Sequence, residues 1–131
     1  MNTRRRAVAD TSVLIGVEAD RVDANLLKDY ELGVSAVTLG ELRLGVLQAR
    51  EPATAAQRLS TYQIAQRFEP LVINEAVSEA WALLVSELRA SGRRAPINDT
   101  WIAATAIAHN IPIVSQDADY DHMPNLDVIR I

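Results

Sequence analysis

The residues of this chain that could do chemistry are mainly acids. Four of them lie within or next to segments that are predicted to be strands or helices: Asp10, Glu41, Asp99 and Asp117. Carboxylate oxygens are hard ligands that suit Mg²⁺ or Mn²⁺. Four carboxylates in one small pocket cannot all stay ionised unless cations neutralise them. If the fold brings these side chains together, we therefore expect a divalent metal centre.

Asp10 and Asp99 occupy positions where a strand ends or a helix begins. Asp10 directly follows the apolar run 7–9, which is typical of a buried strand, although an ordinary helix N-cap is an equally good interpretation of this residue. Asp99 lies in the first turn of a predicted helix, where acids commonly compensate the helix dipole. Its helix face is shared by Ile102, Ala103 and Ala106. A carboxylate on a buried face needs a partner, and a metal ion is a natural one.

Asp117 follows the apolar run 113–115 and opens a polar loop. Turn chemistry alone explains an aspartate in such a loop. The loop also contains Asp119 and Asp121, and we favour Asp117 as the site residue because it lies nearest to the end of the predicted strand. Whether Asp119 contributes is left open by the sequence.

Glu41 lies in a predicted helix over about residues 37–49 that has two apolar faces. One face is formed by Val37, Gly40, Leu44 and Leu47, and the other by Leu39, Leu42 and Val46. A helix with two apolar faces has two bodies to pack against. We expect the core on one side and a second subunit on the other, which predicts a homodimer through this helix. Taken alone, Glu41 is better explained as an ordinary exposed helix residue.

The elements that must position these acids alternate along the chain. Short apolar runs predict strands at 7–9, 32–35, 71–73, 113–115 and 127–131. Helical periodicity and capping residues predict helices at 13–15, 37–49, 53–67, 75–90 and 98–109, the last of them capped by Asn98. This alternation predicts an α/β sandwich with a mainly parallel central sheet. Ligands bind at the carboxyl ends of the strands in such sheets, where Asp10 and Asp117 are expected.

Composition narrows the function classes. A chain of 131 residues predicts one domain, 1–131, and no apolar run approaches the roughly 20 residues that cross a bilayer, so no membrane is expected. There is no cysteine, which excludes disulfides and thiolate chemistry and makes the cytoplasm the simplest location. The net charge of −4 argues against a nucleic-acid partner, unless clustered acids bind cations that reverse the local sign.

Four segments of the chain resemble one known family. They are ADTSVLI at 9–15, SAVTLGEL at 35–42, NDTWIAATA at 98–106 and IVSQD at 113–117. Together, in this order, they are similar to the PIN-domain ribonucleases, specifically the VapC-type toxins of bacterial toxin–antitoxin pairs. Two departures leave all four acids in place: Ser115 stands where the family often has Thr, and Trp101 replaces a smaller or aliphatic residue. The pair Asp119-Tyr120 resembles the family's Asp-Phe.

The resemblance implies a three-layer α/β/α sandwich, dependence on Mg²⁺ or Mn²⁺, dimerisation, and inhibition by a small cognate VapB-like antitoxin. It also implies endonucleolytic cleavage of single-stranded or looped RNA. Within it, we expect Asp10 and Asp99 to hold the principal ion and Asp117 to bind that ion directly or through water. Glu41 would help to bind a second ion or orient the attacking water.

Four further residues are expected near an RNA substrate. Ser12 and Ser115 adjoin two of the acids and could donate hydrogen bonds there. Arg93 and Arg94 precede the Asp99 helix in a loop and could contact RNA phosphates, although an ordinary solvated loop explains them as well.

Two alternatives to a nuclease stay open. The chain could be a catalytically impaired binding module that acts only through its partner, which the presence of all four acids disfavours. It could also be an aspartyl phosphoacceptor that uses Asp10 as its nucleophile. That chemistry calls for a second Asp two residues later or a well-placed Lys. Ser12 occupies the first position, and the only lysine, Lys28, has no strand-end context.

Overall fold

Within residues 4–131, the part of the chain that the computed structural model describes, five strands form one parallel sheet. In chain order they are β1 (Arg5–Ala9), β2 (Tyr30–Ser35), β3 (Glu69–Leu71), β4 (Ile113–Ser115) and β5 (Val128–Arg130). Their spatial order is β3-β2-β1-β4-β5, and every neighbouring pair is parallel. Successive strands are added on one side of β1 and then on the other. The carboxyl ends of β1 and β4 therefore meet at the switch point where such sheets bind ligands.

Helices cover both faces of this sheet. Over the same residues they are α1 (Thr11–Glu18), α2 (Ala36–Gln48), α3 (Pro52–Ala65), α4 (Glu75–Ala90) and α5 (Ile97–His109). Helices α1, α2 and α3 enclose one apolar cluster, and α4 and α5 enclose the other. Alternate residues of β1 enter opposite clusters, with Ala7 and Ala9 on one side and Val8 on the other. The predicted three-layer α/β/α fold with a parallel sheet is confirmed.

Two strands differ in extent from the prediction. β1 begins at Arg5 rather than at residue 7, and its partner β2 begins at Tyr30 rather than at residue 32, because Arg5 and Tyr30 pair in register. Ladder hydrogen bonds use only the backbone, so an exposed arginine can continue a strand that apolar patterning does not reveal.

The third strand lies two residues before its predicted place. We expected it at 71–73, and the structure has it at Glu69–Leu71, with Val72 and Ile73 exposed. Its partner β2 ends at Ser35, which pairs with Leu71, and the chain then enters α2. Beyond Leu71 there is no strand left to pair with, so the apolar residues that suggested a strand lie outside it.

Helix α2 presents the second apolar face that its sequence predicts. Leu42 is buried in the apolar cluster that α1, α2 and α3 enclose, whereas Leu44 and Leu47 are 52% and 67% exposed. The structure therefore leaves one apolar face of α2 open to a partner.

No helix that the structure describes between residues 4 and 131 combines the length and the apolar character needed to span a membrane.

Candidate functional site

Asp10 lies at the carboxyl end of β1 and is 2% exposed. It is the N-cap of α1, because its Oδ2 accepts a hydrogen bond from the backbone N–H of Ser12 at 3.3 Å. The capping interpretation of this residue therefore holds, and it does not exclude a chemical role. A carboxylate with so little exposure must be compensated by donors around it.

Four donors surround the Asp10 carboxylate. In addition to the Ser12 N–H, Oδ2 accepts hydrogen bonds from Ser12 Oγ at 2.6 Å and from Ser115 Oγ at 3.0 Å. Oδ1 accepts one from the hydroxyl of Tyr120 at 2.7 Å. Charge-assisted bonds of this kind are short and strong, so Asp10 is held in one orientation.

Ser12 and Ser115 also connect Asp10 to the loop that follows β4. Ser12 Oγ accepts a hydrogen bond from the backbone N–H of Gln116 at 3.1 Å, and Ser115 Oγ accepts one from the N–H of Asp117 at 2.8 Å. Each hydroxyl therefore has its proton directed toward Asp10 and a lone pair directed toward the loop. The structure gives both serines a part in holding the acids, and their contact with RNA stays a prediction.

Three acids converge beside Asp10. Asp99 lies in the first turn of α5, Asp117 caps the 3₁₀ helix Ala118–Tyr120, and Asp119 belongs to that short helix. One carboxylate oxygen from each lies within 4.8 Å of the others. Asp117 Oδ1 accepts the backbone N–H of Asp119 at 2.9 Å, and this tight turn brings the second aspartate back toward the first.

The electrostatics of this cluster appear most clearly at Asp99. Burial, followed by the negative charges of Asp10 and Asp117, raises the pKa of this half-buried carboxyl from 3.8 to about 7. The nearby Tyr120 hydroxyl opposes the shift. The three ion pairs found between residues 4 and 131 involve other acids, namely Asp127, Glu69 and Asp121. None of these ion pairs neutralises the clustered acids. The negative charge of each acid therefore makes ionisation of its neighbours less favourable.

Tyr120 is a site residue that sequence reasoning missed. Its side chain is 0% exposed and belongs to the apolar cluster under α4 and α5, yet its hydroxyl reaches Asp10. Burial and the adjacent Asp10 charge raise the pKa of this phenol far above its usual range, so it is a neutral donor. The available signal was local, since Tyr120 directly follows Asp119 in the acidic loop.

Glu41 lies at the border of the cluster and not among its three converging oxygens. Its Oε1 accepts a hydrogen bond from Thr11 Oγ1 at 2.7 Å, and its Oε2 contacts the Asn98 amide nitrogen at 3.4 Å. Thr11 directly follows Asp10, and Asn98 directly precedes Asp99, so Glu41 is tied to the neighbours of two acids.

The Asn98 contact corrects a prediction. We expected Asn98 to cap α5, but the helix begins at Ile97 with Pro96 in the capping position and no side-chain cap. Because Asn98 is already inside the helix, its amide is free to turn toward Glu41.

Arg93 and Arg94 are exposed in the loop between α4 and α5, after Gly92, whose φ of 71° lets the chain leave α4. They border a cavity of about 480 Å³ that Asp119 also lines. The structure therefore places both guanidinium-bearing side chains on an opening shared with one of the clustered acids.

Two tryptophans fasten α4 to the start of α5. The rings of Trp81 and Trp101 stack with centroids 4.4 Å apart and planes 3° apart. Trp81 Nε1 also donates a hydrogen bond to Thr100 Oγ1 at 3.0 Å. Thr100 and Trp101 directly follow Asp99, so this packing restrains the helix turn that carries the acid.

The residues present suit a divalent cation. Hard oxygen atoms from three carboxylates lie close enough to share one ion, and the charges of Asp10 and Asp117 add to burial in raising the pKa of Asp99. Mg²⁺ and Mn²⁺ bind through one or more carboxylates of this kind and retain water in their remaining positions.

Comparison with known proteins agrees with this arrangement. Over 127 residues the chain is 69% identical to Ribonuclease VapC4 of Mycobacterium tuberculosis, which covers 97% of this chain and 98% of that protein. It is 39% identical over 133 residues to Ribonuclease VapC5 of the same organism, with 98% of each covered. Among solved structures, a member of the VapBC family of toxin–antitoxin systems, VapBC-5 from M. tuberculosis, superposes with a TM-score of 0.85 at 38% identity, covering 96% of this chain and 98% of that one.

The family model for the PIN domain matches residues 7–126, which include every acid of the site. With this span, and with 69% identity to a VapC ribonuclease along nearly the whole chain, the protein belongs to the PIN-domain family and, within it, to the VapC ribonucleases.

Proposed function

We propose that this chain is a Mg²⁺- or Mn²⁺-dependent endoribonuclease that hydrolyses RNA phosphodiester bonds as the toxin of a toxin–antitoxin pair. One observation carries the metal dependence: the oxygens of Asp99, Asp117 and Asp119 lie within 4.8 Å of one another, next to the charge of Asp10. The names of the VapC relatives support RNA as the substrate.

In this proposal Asp10, Asp99 and Asp117 hold the cation, and the proximity of Asp119 makes it a fourth candidate ligand. When bound, a divalent cation supplies positive charge for the phosphate to approach and makes an adjacent water more acidic. Asp10 is the most rigid of these groups, because its donors hold both of its oxygens. The other acids can adjust to the ion around it.

Glu41 is the residue that we propose to orient the attacking water. Thr11 occupies Oε1 at 2.7 Å, which leaves Oε2, with its long 3.4 Å contact to Asn98, to accept a hydrogen bond from that water. The same carboxylate could instead contribute to a second ion. Both roles require it to stay ionised next to the cluster.

The experiment that tests this function is cleavage of a labelled RNA pool by purified protein freed of any antitoxin. We expect cuts with Mg²⁺ or Mn²⁺, none in excess chelator, and a rate lowered roughly tenfold or more for Asp117→Asn, because a ligand is lost. Glu79→Gln is the matched control, since it removes one negative charge from an exposed position on α4 and should cleave normally.

Equal cleavage in chelator would exclude the metal dependence. An absence of cuts from wild-type protein under all conditions would instead favour the alternative of a catalytically impaired binding module.

Arg93 and Arg94 are the residues that we propose to contact RNA phosphates, because they line the cavity that reaches Asp119. Replacing both with glutamine should weaken RNA binding and reduce the slope of log affinity against log salt by about 1.4 for a single strand, that is about 0.7 for each lost phosphate contact. The measurement is fluorescence anisotropy with a single-stranded RNA in chelator at several salt concentrations.

Arg50→Gln combined with Arg67→Gln removes the same charge from exposed positions on other parts of the chain. If both double variants change the slope equally, Arg93 and Arg94 act only through the total charge, and the proposed contact is wrong.

The assembly of the protein is also a proposal. The structural relative belongs to the VapBC family of toxin–antitoxin systems, which supports a VapB-like antitoxin as partner. The lack of cysteine supports the cytoplasm as the location. The exposed Leu44 and Leu47 of α2 support a homodimer through that helix, and a monomeric mass in solution at micromolar concentration would contradict it. Between residues 4 and 131 no observation favours the phosphoacceptor alternative, because further acids lie beside Asp10, whereas the only lysine, Lys28, lines a separate cavity.

A further inference from the structure

The Asp10 carboxylate is held unequally at its two oxygens. Oδ2 accepts three hydrogen bonds, from the Ser12 N–H, Ser12 Oγ and Ser115 Oγ. Oδ1 accepts one, from the hydroxyl of Tyr120 at 2.7 Å. An ionised carboxylate has about two acceptor positions on each of its oxygens. The three bonds to Oδ2 saturate that oxygen, and the free position is on Oδ1, the oxygen that Tyr120 contacts.

The Tyr120 hydroxyl is the only polar atom of its side chain, and it enters the site from the apolar layer. The ring is fully buried among core residues of the α4 and α5 side, so its position is set by packing and not by solvent. The single proton of this hydroxyl is directed to Asp10 Oδ1. It therefore acts on the proposed ligand at the end of β1.

We propose that Tyr120 is a positioning residue of the acidic centre: its buried hydroxyl orients the Asp10 carboxylate so that the remaining acceptor position of Oδ1 is directed toward a divalent cation. This inference rests on the proposed function, since it requires that the acids bind a cation. It goes beyond the acids themselves, because it assigns a role to a neutral side chain that is not a proposed ligand.

The physical basis is preorganisation. Groups that hydrogen-bond to metal ligands orient them before the ion arrives, and their removal typically lowers metal affinity by about 10- to 100-fold. Without the phenol, Oδ1 has no donor and Asp10 is restrained from one side only. The cation would then have to order this carboxylate as it binds.

The test is the affinity of Tyr120→Phe for Mn²⁺, measured by isothermal titration calorimetry and by the electron paramagnetic resonance signal of free Mn²⁺, without RNA. We expect binding about tenfold weaker than in wild type. In cleavage assays the Mg²⁺ concentration for half-maximal rate should rise by a similar factor, while the rate at saturating Mg²⁺ changes less. Tyr62→Phe, which removes a hydroxyl from α3, is the matched control and should leave both values unchanged.

A structural role alone would lower the unfolding temperature in chelator and leave Mn²⁺ affinity unchanged. Unchanged or tighter Mn²⁺ binding by Tyr120→Phe therefore overturns the proposal, although wild-type binding would still support the metal centre. Failure of the wild-type protein to bind Mn²⁺ would overturn the metal centre and the role of Tyr120 together.

A second variant separates the hydroxyl from the ring. 4-Aminophenylalanine incorporated at position 120 keeps a hydrogen-bond donor at the same place and should recover much of the Mn²⁺ affinity that Tyr120→Phe loses. If Tyr120→Phe does not fold, this variant is compared directly with wild type. An affinity close to that of wild type is expected, and an affinity about tenfold lower despite the retained donor would contradict the proposal.

Discussion

Asp99→Asn is expected to lower RNA cleavage by at least roughly 100-fold and, at the same time, to stabilise the metal-free protein at pH 8. The loss of activity follows from removing one of the proposed ligands. The gain in stability follows from the pKa of about 7, which shows that the folded protein resists ionisation of this carboxyl. This one substitution should therefore lower the rate of RNA cleavage and raise the stability of the metal-free protein.

The sign of the stability change follows from linkage. Between pH 3.8 and about 7 the folded state keeps a proton on Asp99 that the unfolded state has released, so this residue lowers stability progressively as pH rises through that range. Above pH 7 the destabilisation is complete. A shift of three pKa units corresponds to about 4 kcal/mol, which solvent screening at this partly exposed group reduces to roughly 2 kcal/mol. Asparagine has no such dependence.

The measurement is thermal unfolding in chelator at pH 5 and pH 8, together with the cleavage rate in Mg²⁺. Asp99→Asn should unfold several degrees above wild type at pH 8, with a smaller difference at pH 5. Glu79→Gln should show neither effect. A stability difference that does not depend on pH would mean that the pKa of Asp99 is not raised in the folded protein. Near-normal cleavage by Asp99→Asn would mean that Asp99 is not a metal ligand.

The second large effect is stabilisation by divalent cations, which should grow with pH. A cation that binds the cluster must displace the proton from Asp99, so binding weakens as pH falls below about 7. From the ionised fraction of this carboxyl, affinity at pH 6 should be roughly tenfold lower than at pH 8. At a concentration of 100 times the dissociation constant, binding adds about 2.7 kcal/mol to the free energy of unfolding.

The unfolding temperature with increasing Mn²⁺ at pH 6 and pH 8 checks this expectation. Wild-type protein should need about ten times more Mn²⁺ at pH 6 for the same shift. Asp99→Asn should be stabilised less than wild type at both values. Equal shifts at pH 6 and pH 8 would show that the cation binds elsewhere, at groups that do not titrate in this range.

The net charge of −4 has a local explanation in the structure. Four of the 17 acids, namely Asp10, Asp99, Asp117 and Asp119, lie in or beside the acidic cluster, where a cation would neutralise part of their charge. Arg93 and Arg94 lie on the opening beside this cluster. The distribution of charge is thus compatible with an RNA substrate, whereas the total alone argues against one.

The sequence by itself determined the architecture, because the signals for it are local. Apolar runs separated by helical periodicity predicted a parallel α/β sheet, and short runs such as 113–115 located its central strands well. The same patterns put Asp10 and Asp117 at strand ends, since a strand that stops at an acid is visible within a few residues. Local patterning misplaced β3 and the start of β1, because pairing with a neighbouring strand determines where those strands begin and end.

Only the tertiary structure decided how the acids are held. Tyr120 and Asp10 are 110 positions apart, and Thr11 and Glu41 are 30 apart, so no periodicity relates these partners. The approach of Asp119 to Asp99 likewise depends on how the loop after β4 lies against the start of α5. Strand and helix patterns report which face of an element is apolar, whereas hydrogen bonds between distant side chains depend on how the layers pack, and that is a property of the whole chain.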